Sequence, residues 1–266
     1  MLSNEILTGN VPVQGGRVDA EDSGHNGGAG AVPVFAVVLA GLAGVTYSTF
    51  LLEHFLSPDL DVVNGYVSEL SAVDQPYHQI YSGGDLVTGV LIIIVAGTAL
   101  LTTGRRPWAV TGWIMLGMFG LFAIGDATFP LDCAPSLESR CALLERSGKV
   151  SFSHEFHSFT SSMVITFGVA ALLALSIAAR RYGWWPALAR WGWPLAILET
   201  ALAMGTLLAM VLGRWLGIIQ RFQIAVLVLG LLTISWALIQ ERRALRRHAA
   251  ANGTGGSPPR REKAPL

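Results

Sequence analysis

Six apolar runs, at about 31–52, 85–103, 107–127, 157–179, 191–213 and 222–240, dominate this chain of 266 residues. Each is close to the roughly 20 residues that a helix needs to cross a hydrocarbon core about 30 Å thick. In hydrocarbon a chain must pair its own N–H and C=O groups, and a run of this length does so as a helix. The expected fold is therefore all-α, a polytopic bundle of six transmembrane helices. With 52% hydrophobic and only 14% charged residues, the composition excludes an ordinary soluble domain. The formal net charge is zero, so there is no basic field to draw nucleic acid, and membrane lipids are the expected partners.

The flanks read differently. Residues 1–30 are rich in Gly, Asn, Ser and acidic side chains, and residues 241–266 are basic and end in Gly, Ser and Pro; both are expected to be disordered tails around a membrane domain at 31–240. No basic segment followed by a short apolar core opens the chain, so the first span is expected to act as the insertion signal. An even number of spans places both termini on one side. Thirteen of the eighteen basic residues lie in the tails, the 104–106 turn and the 180–190 loop, against Arg140, Arg146, Lys149, Arg214 and Arg221 on the other side. The positive-inside rule then predicts that both termini are cytoplasmic. Trp108, Trp184, Trp185, Trp191 and Trp193 gather beside the same inner loops, as an interfacial aromatic belt does.

That orientation puts His54, His78, Asp126, Asp132, His154 and His157 on the extracytoplasmic side. His154 and His157, at i and i+3 near the start of the fourth span, can project from one helix face. With oxygens from Asp126 they form a candidate metal set for zinc or another divalent ion, with Asp132, Glu69 or Ser68 as candidate catalytic groups. The alternative is a pair of interfacial histidines that are hydrogen-bonded and bind nothing. Cys133 and Cys141 lie too far apart for a zinc-finger pair, and in an oxidising compartment a disulfide between them is expected, with free thiols as the alternative. Glu199 lies near the middle of the fifth span, where an ionised carboxylate is costly unless paired, protonated or wet. Arg214 and Arg221 bracket the turn between spans five and six and are candidates to grip a lipid headgroup, or else simply anchors. Ala36, Ala40 and Gly44 form a small-residue stripe suited to close helix packing. Walker, dinucleotide, GxSxG and HExxH motifs are all absent.

Asn64 to Ser71 (NGYVSELS), Pro76, the run Gly83, Gly84 and Asp85, the pattern Asp126-x-x-Phe129-Pro130-x-Asp132 and the histidine pair resemble the domain of unknown function 998 family of six-span prokaryotic membrane proteins. The likeness covers roughly residues 31–240 and implies a fold and a location but no reaction. A more distant similarity, at the level of site chemistry, is to the alkaline ceramidase and adiponectin-receptor membrane hydrolases. Their Ser, Asp and three His around zinc would be imitated by Ser68 or Ser71, Asp126, His154 and His157. The chain departs from that group in having six spans, HxxH spacing and no third histidine within a span.

Three functions are compatible with these residues. One is a metal-assisted hydrolase or transferase acting on lipid or envelope substrates. The second is a non-catalytic protein that binds lipid or a partner, and the third a proton-coupled carrier using Glu199.

Overall fold

The computed structural model describes Gly30 and residues 32–253, so most of the expected N-terminal tail and the stretch 254–266 lie outside the described residues. Helix α1 (Val34–Thr46) passes through a 3-10 turn (Thr49–Leu52) into the short α2 (Glu53–Leu56). There follow α3 (His78–Thr102), α4 (Pro107–Thr128), α5 (Ser139–Arg146), α6 (Phe152–Tyr182), α7 (Pro186–Leu212) and α8 (Leu216–Gly253), with no strand among the described residues. Six helical stretches are long and apolar enough to cross a membrane, Val34–Leu56 and the five long helices after it.

Helices α3, α6, α7 and α8 start before the expected spans, at His78, Phe152, Pro186 and Leu216, and α8 also ends later; the start of α6 and the end of α8 have a clear local reason. Helix α6 starts at Phe152 and so takes in His154, Glu155 and His157, because Ser151 caps it: its Oγ accepts from the His154 N–H at 3.2 Å. Asp132 holds that cap, accepting from the Ser151 N–H at 2.7 Å and from its hydroxyl at 2.5 Å. Helix α8 continues past Gln240 to Gly253, into the stretch expected to be disordered. Glu, Arg, Ala and Leu dominate residues 241–251 and are strong helix formers. Its first turn there is tied down, because Gln240 Oε1 accepts from the Ala187 N–H at 3.0 Å and Arg242 donates to the Val32 carbonyl.

The six long elements close a ring: α1 packs on α3 and α8, α3 on α4, α4 on α6, α6 on α7 and α7 on α8. Trp113, Leu116, Phe119 and Leu175 fill its middle. Small residues set the helix spacing, since lipid tails are as apolar as the side chains and close van der Waals fit must supply the attraction. Ala36 and Ala40 are buried, and Gly44 sits against Leu232 of α8. A Cβ on Gly89 would lie 2.5 Å from the Gly120 carbonyl oxygen, and one on Gly120 would lie 2.7 Å from that of Gly89, so α3 and α4 touch backbone to backbone.

Helix α7 is the exception to this close fit. Gly192 meets Ser176 of α6 towards the end of the bundle that carries both termini, but of residues 200–212 only Ala209 is buried. Towards the other end, which carries the loops 57–77 and 129–151, a cavity lies between α6 and α7.

Gly120→Leu should force α3 and α4 apart and lower stability by about 1–3 kcal/mol. Gly97→Ala, on α3 with nothing within 4 Å of the added carbon, should leave it unchanged or slightly higher. Thermal unfolding in detergent compares the two; equal loss in both would refute the backbone-contact account.

Candidate functional site

The loops 57–77 and 129–151 form a lid across one end of the ring. Glu69, in the 3-10 turn Val67–Ser71, is 0% exposed; its Oε1 accepts from the Ser136 N–H at 3.0 Å and its Oε2 from the Ser136 hydroxyl. Asp74 Oδ2 accepts from the Ala134 N–H at 3.2 Å, and the Val73 N–H donates to the Leu131 carbonyl at 2.9 Å. A disulfide joins Cys133 to Cys141, with 6.0 Å between their Cα atoms, and closes the segment that presents Ser136. The lid is also tied to α8: Gln220 Oε1 accepts from the Val67 N–H at 2.7 Å and Asn64 Oδ1 from the Trp215 N–H at 2.9 Å. Most of the NGYVSELS stretch thus has packing or hydrogen-bonding roles in the lid, among them Asn64, Gly65, Val67, Glu69, Leu70 and Ser71.

Under the lid lies a chamber of about 90 Å³. Ser68 and Ser71 roof it, and Asp85 of α3, Asp126 of α4, His157 and Ser161 of α6, and Gln220 and Gln223 of α8 wall it. A wider cavity of about 300 Å³ lies between α6, α7 and α8 and shares Ser68, His157, Ser161, Ile165, Gln220 and Gln223 with the chamber.

Hydrogen bonds assign the two histidines opposite tautomers in their neutral form. His157 Nδ1 lies 2.9 Å from the Phe129 carbonyl, which can only accept, so Nδ1 carries the proton and Nε2 the lone pair. That Nε2 is buried without a partner, and the residue lines both cavities. His154 Nδ1 accepts from the Asp132 N–H at 3.2 Å, so its proton sits on Nε2, 3.7 Å from Glu145 Oε1. Asp126 accepts from Thr160 on one oxygen and from Ser161 at 3.0 Å on the other, and its Oδ1 is 4.0 Å from His157 Nδ1.

The candidate residues therefore separate into groups. Ser68, Asp126 and His157 meet at the chamber. Asp132 and Glu69 have their oxygens bonded to Ser151 and Ser136, and His154 faces Glu145 near the lid. Among the described residues no group of three or more His, Cys, Asp and Glu is placed to hold a metal ion. Donors that turn away from one another in this manner do not fit a three-ligand zinc site. Glu199 is 0% exposed in α7 with both oxygens unpartnered, beside Gln223. Arg221 is held within the protein, paired with Glu53 at 2.7 and 2.5 Å and donating to the carbonyls of Val62, Gly65 and Gly217. Arg214 lies over the Trp215 ring, 4.3 Å from its centroid.

Sequence reading passed over Asp85, Gln220 and Gln223 as site residues. A signal was present: Gln220 and Gln223 sit one turn apart, at and just before the start of an otherwise apolar run, where side-chain amides need partners.

Two lid carboxyls lie outside the spans and titrate in opposite senses. Burial pushes Glu69 above its ordinary 4.5, opposed by the hydrogen bonds from Ser136. Burial also raises Asp132, but the bonds from the Ser151 side chain and backbone outweigh it and hold the carboxyl below 3.8. A raised acid binds more protons folded than unfolded, so Glu69 removes stability as pH climbs from 4.5 through its folded pKa. Asp132 contributes stability above 3.8 that is lost as pH falls through its lower folded value. Melting temperature measured from pH 4 to pH 7 should thus fall less steeply with rising pH in Glu69→Gln than in wild type. An identical slope in both would remove Glu69 from the account.

No curated protein and no solved structure matches the chain. The model of a family described as proteins of unknown function, DUF998, matches residues 38–237, taking in part or all of every helix above. The chain belongs to that family.

Proposed function

We propose that this multi-pass membrane protein binds an amphiphile, with the polar head in the chamber under the lid and the apolar part in the cavity between α6 and α7. The observation that carries this reading is the joining of two differently lined spaces. The chamber sets Asp85, Asp126, His157 and two glutamines among apolar side chains such as Leu70 and Val164, whereas the wider cavity holds neither aspartate and adds Ala203, Leu207, Met210 and Leu216 beside hydroxyls of Ser158, Ser162, Thr166 and Thr206. A ligand filling both would set a polar group against Asp85 and Asp126 and apolar surface against Ala203, Leu207 and Met210 of α7. The loose packing of α7 over 200–212 leaves that cavity beside the lipid phase, which supports entry from the bilayer.

The lid faces the outside of the cell and both termini the cytoplasm. Two features support this orientation: a disulfide in the lid, which persists in an oxidising compartment, and the concentration of basic residues at the other end. The head is then supplied from the outer leaflet.

Native mass spectrometry of protein extracted with its surrounding lipid tests the reading. Wild type should retain an amphiphile, and Ala203→Phe, which fills the wider cavity, should retain about 10-fold less, as expected for roughly 1.4 kcal/mol of lost binding. Equal retention by both would sink the proposal. Reporter fusions ending at Ser136 should read outside and those after Ala250 inside; the reverse pattern would overturn the orientation alone.

A further inference from the structure

The charge of the chamber narrows the ligand, given the amphiphile reading on which this step rests. We infer that the head group bound there is an amine, carried as an ammonium cation. No Lys or Arg lines either cavity, whereas Asp85 and Asp126 line the chamber and Glu145 the wider space. Arg221 with Glu53 is the ion pair among the described residues, while the neutral rings of His154 and His157 lie 3.7 Å from Glu145 and 4.0 Å from Asp126. Asp85 takes part in none of these contacts, and its side chain has no hydrogen-bond partner among the described residues. A phosphate or carboxylate head would meet two carboxyl groups there, with no basic side chain to offset its charge.

A second, independent observation points the same way. His157 is 3% exposed, and its Nε2, a lone pair by the tautomer assigned above, is buried against both cavities without a donor. Asp126 already receives two hydroxyl donors, one on each oxygen, yet each oxygen keeps a further lone pair. The chamber therefore offers acceptors in excess: Asp85, Asp126 and His157 Nε2. An ammonium group carries three donors and no acceptor, which is the complementary set. Gln223 Nε2, also unpartnered on the chamber wall, is a donor, and it lies beside Glu199, whose two buried oxygens are themselves without partners.

Three probes of equal chain length separate head chemistry from hydrophobic binding: dodecylamine, dodecan-1-ol and dodecyl phosphate. Each is titrated onto the full-length protein in discs of zwitterionic lipid, with empty discs subtracted. Dodecylamine should bind about 10-fold tighter than the alcohol, the scale of a charge-assisted hydrogen bond, and the phosphate weakest of the three. In Asp85→Asn the ratio of amine to alcohol affinity should fall to within about twofold. This variant removes no hydrogen bond within the protein, so loss of fold does not cloud the result; its melting temperature checks that. Alcohol or phosphate binding as tightly as the amine would overturn the inference and leave the amphiphile reading standing. So would an amine preference unchanged in Asp85→Asn. Failure of all three probes to bind would overturn both.

Discussion

Arg221 holds the site together. One guanidinium at the start of α8 pairs with both oxygens of Glu53, at the far end of the first span, and reaches three backbone carbonyls, those of Val62, Gly65 and Gly217. Both side chains are nearly buried, so the pair persists only because the fork of donors matches the carboxylate and the remaining N–H groups find carbonyls. A lysine could supply the charge but not that geometry. Through this contact the loop from 57 to 67 is fixed over the ring, and Val67 and Asn64 reach Gln220 and Trp215. The roof of the chamber, Ser68 to Ser71, hangs from those anchors.

The second half of the lid is secured from the other side. Asp132 caps α6 through Ser151, and Glu69 grips Ser136 inside the disulfide loop. Both carboxylates thereby serve architecture, and their consequence for the site is indirect. Capping at Ser151 starts α6 early enough to bring His157 beneath the lid, where Phe129 fixes its Nδ1 and leaves Nε2 facing the cavities. Near the membrane boundary such an orphan lone pair is costly unless a donor or water meets it.

Close packing and looseness divide the ring between them. Gly89 against Gly120 makes α3 and α4 a rigid wall, while α7 beyond Gly192 buries little and borders the cavity. Glu199 sits on this looser helix beside Gln223, whose own carbonyl oxygen accepts from Thr206 at 2.8 Å.

How much of this was legible beforehand follows from the range of the forces involved. Hydrocarbon demands that each crossing segment satisfy its own backbone, so six apolar runs determined six helices without reference to one another. Cys133 and Cys141, close in sequence, were likewise readable as a pair. Helix starts were not, because the cap at Ser151 depends on Asp132, nineteen residues away. Nor was the division of the polar residues: Asp126 and Asp132 look alike in the pattern Asp126-x-x-Phe129-Pro130-x-Asp132, yet one lines the chamber and the other holds a helix end. Asp85, Gln220 and Gln223 became site residues only when the ring closed α3 and α8 against α1. Membrane crossing is a local property of about 20 residues and is written in composition. The site is built from side chains that most of the helices and both lid loops contribute, and only the packing that joins those elements decides which side chains meet.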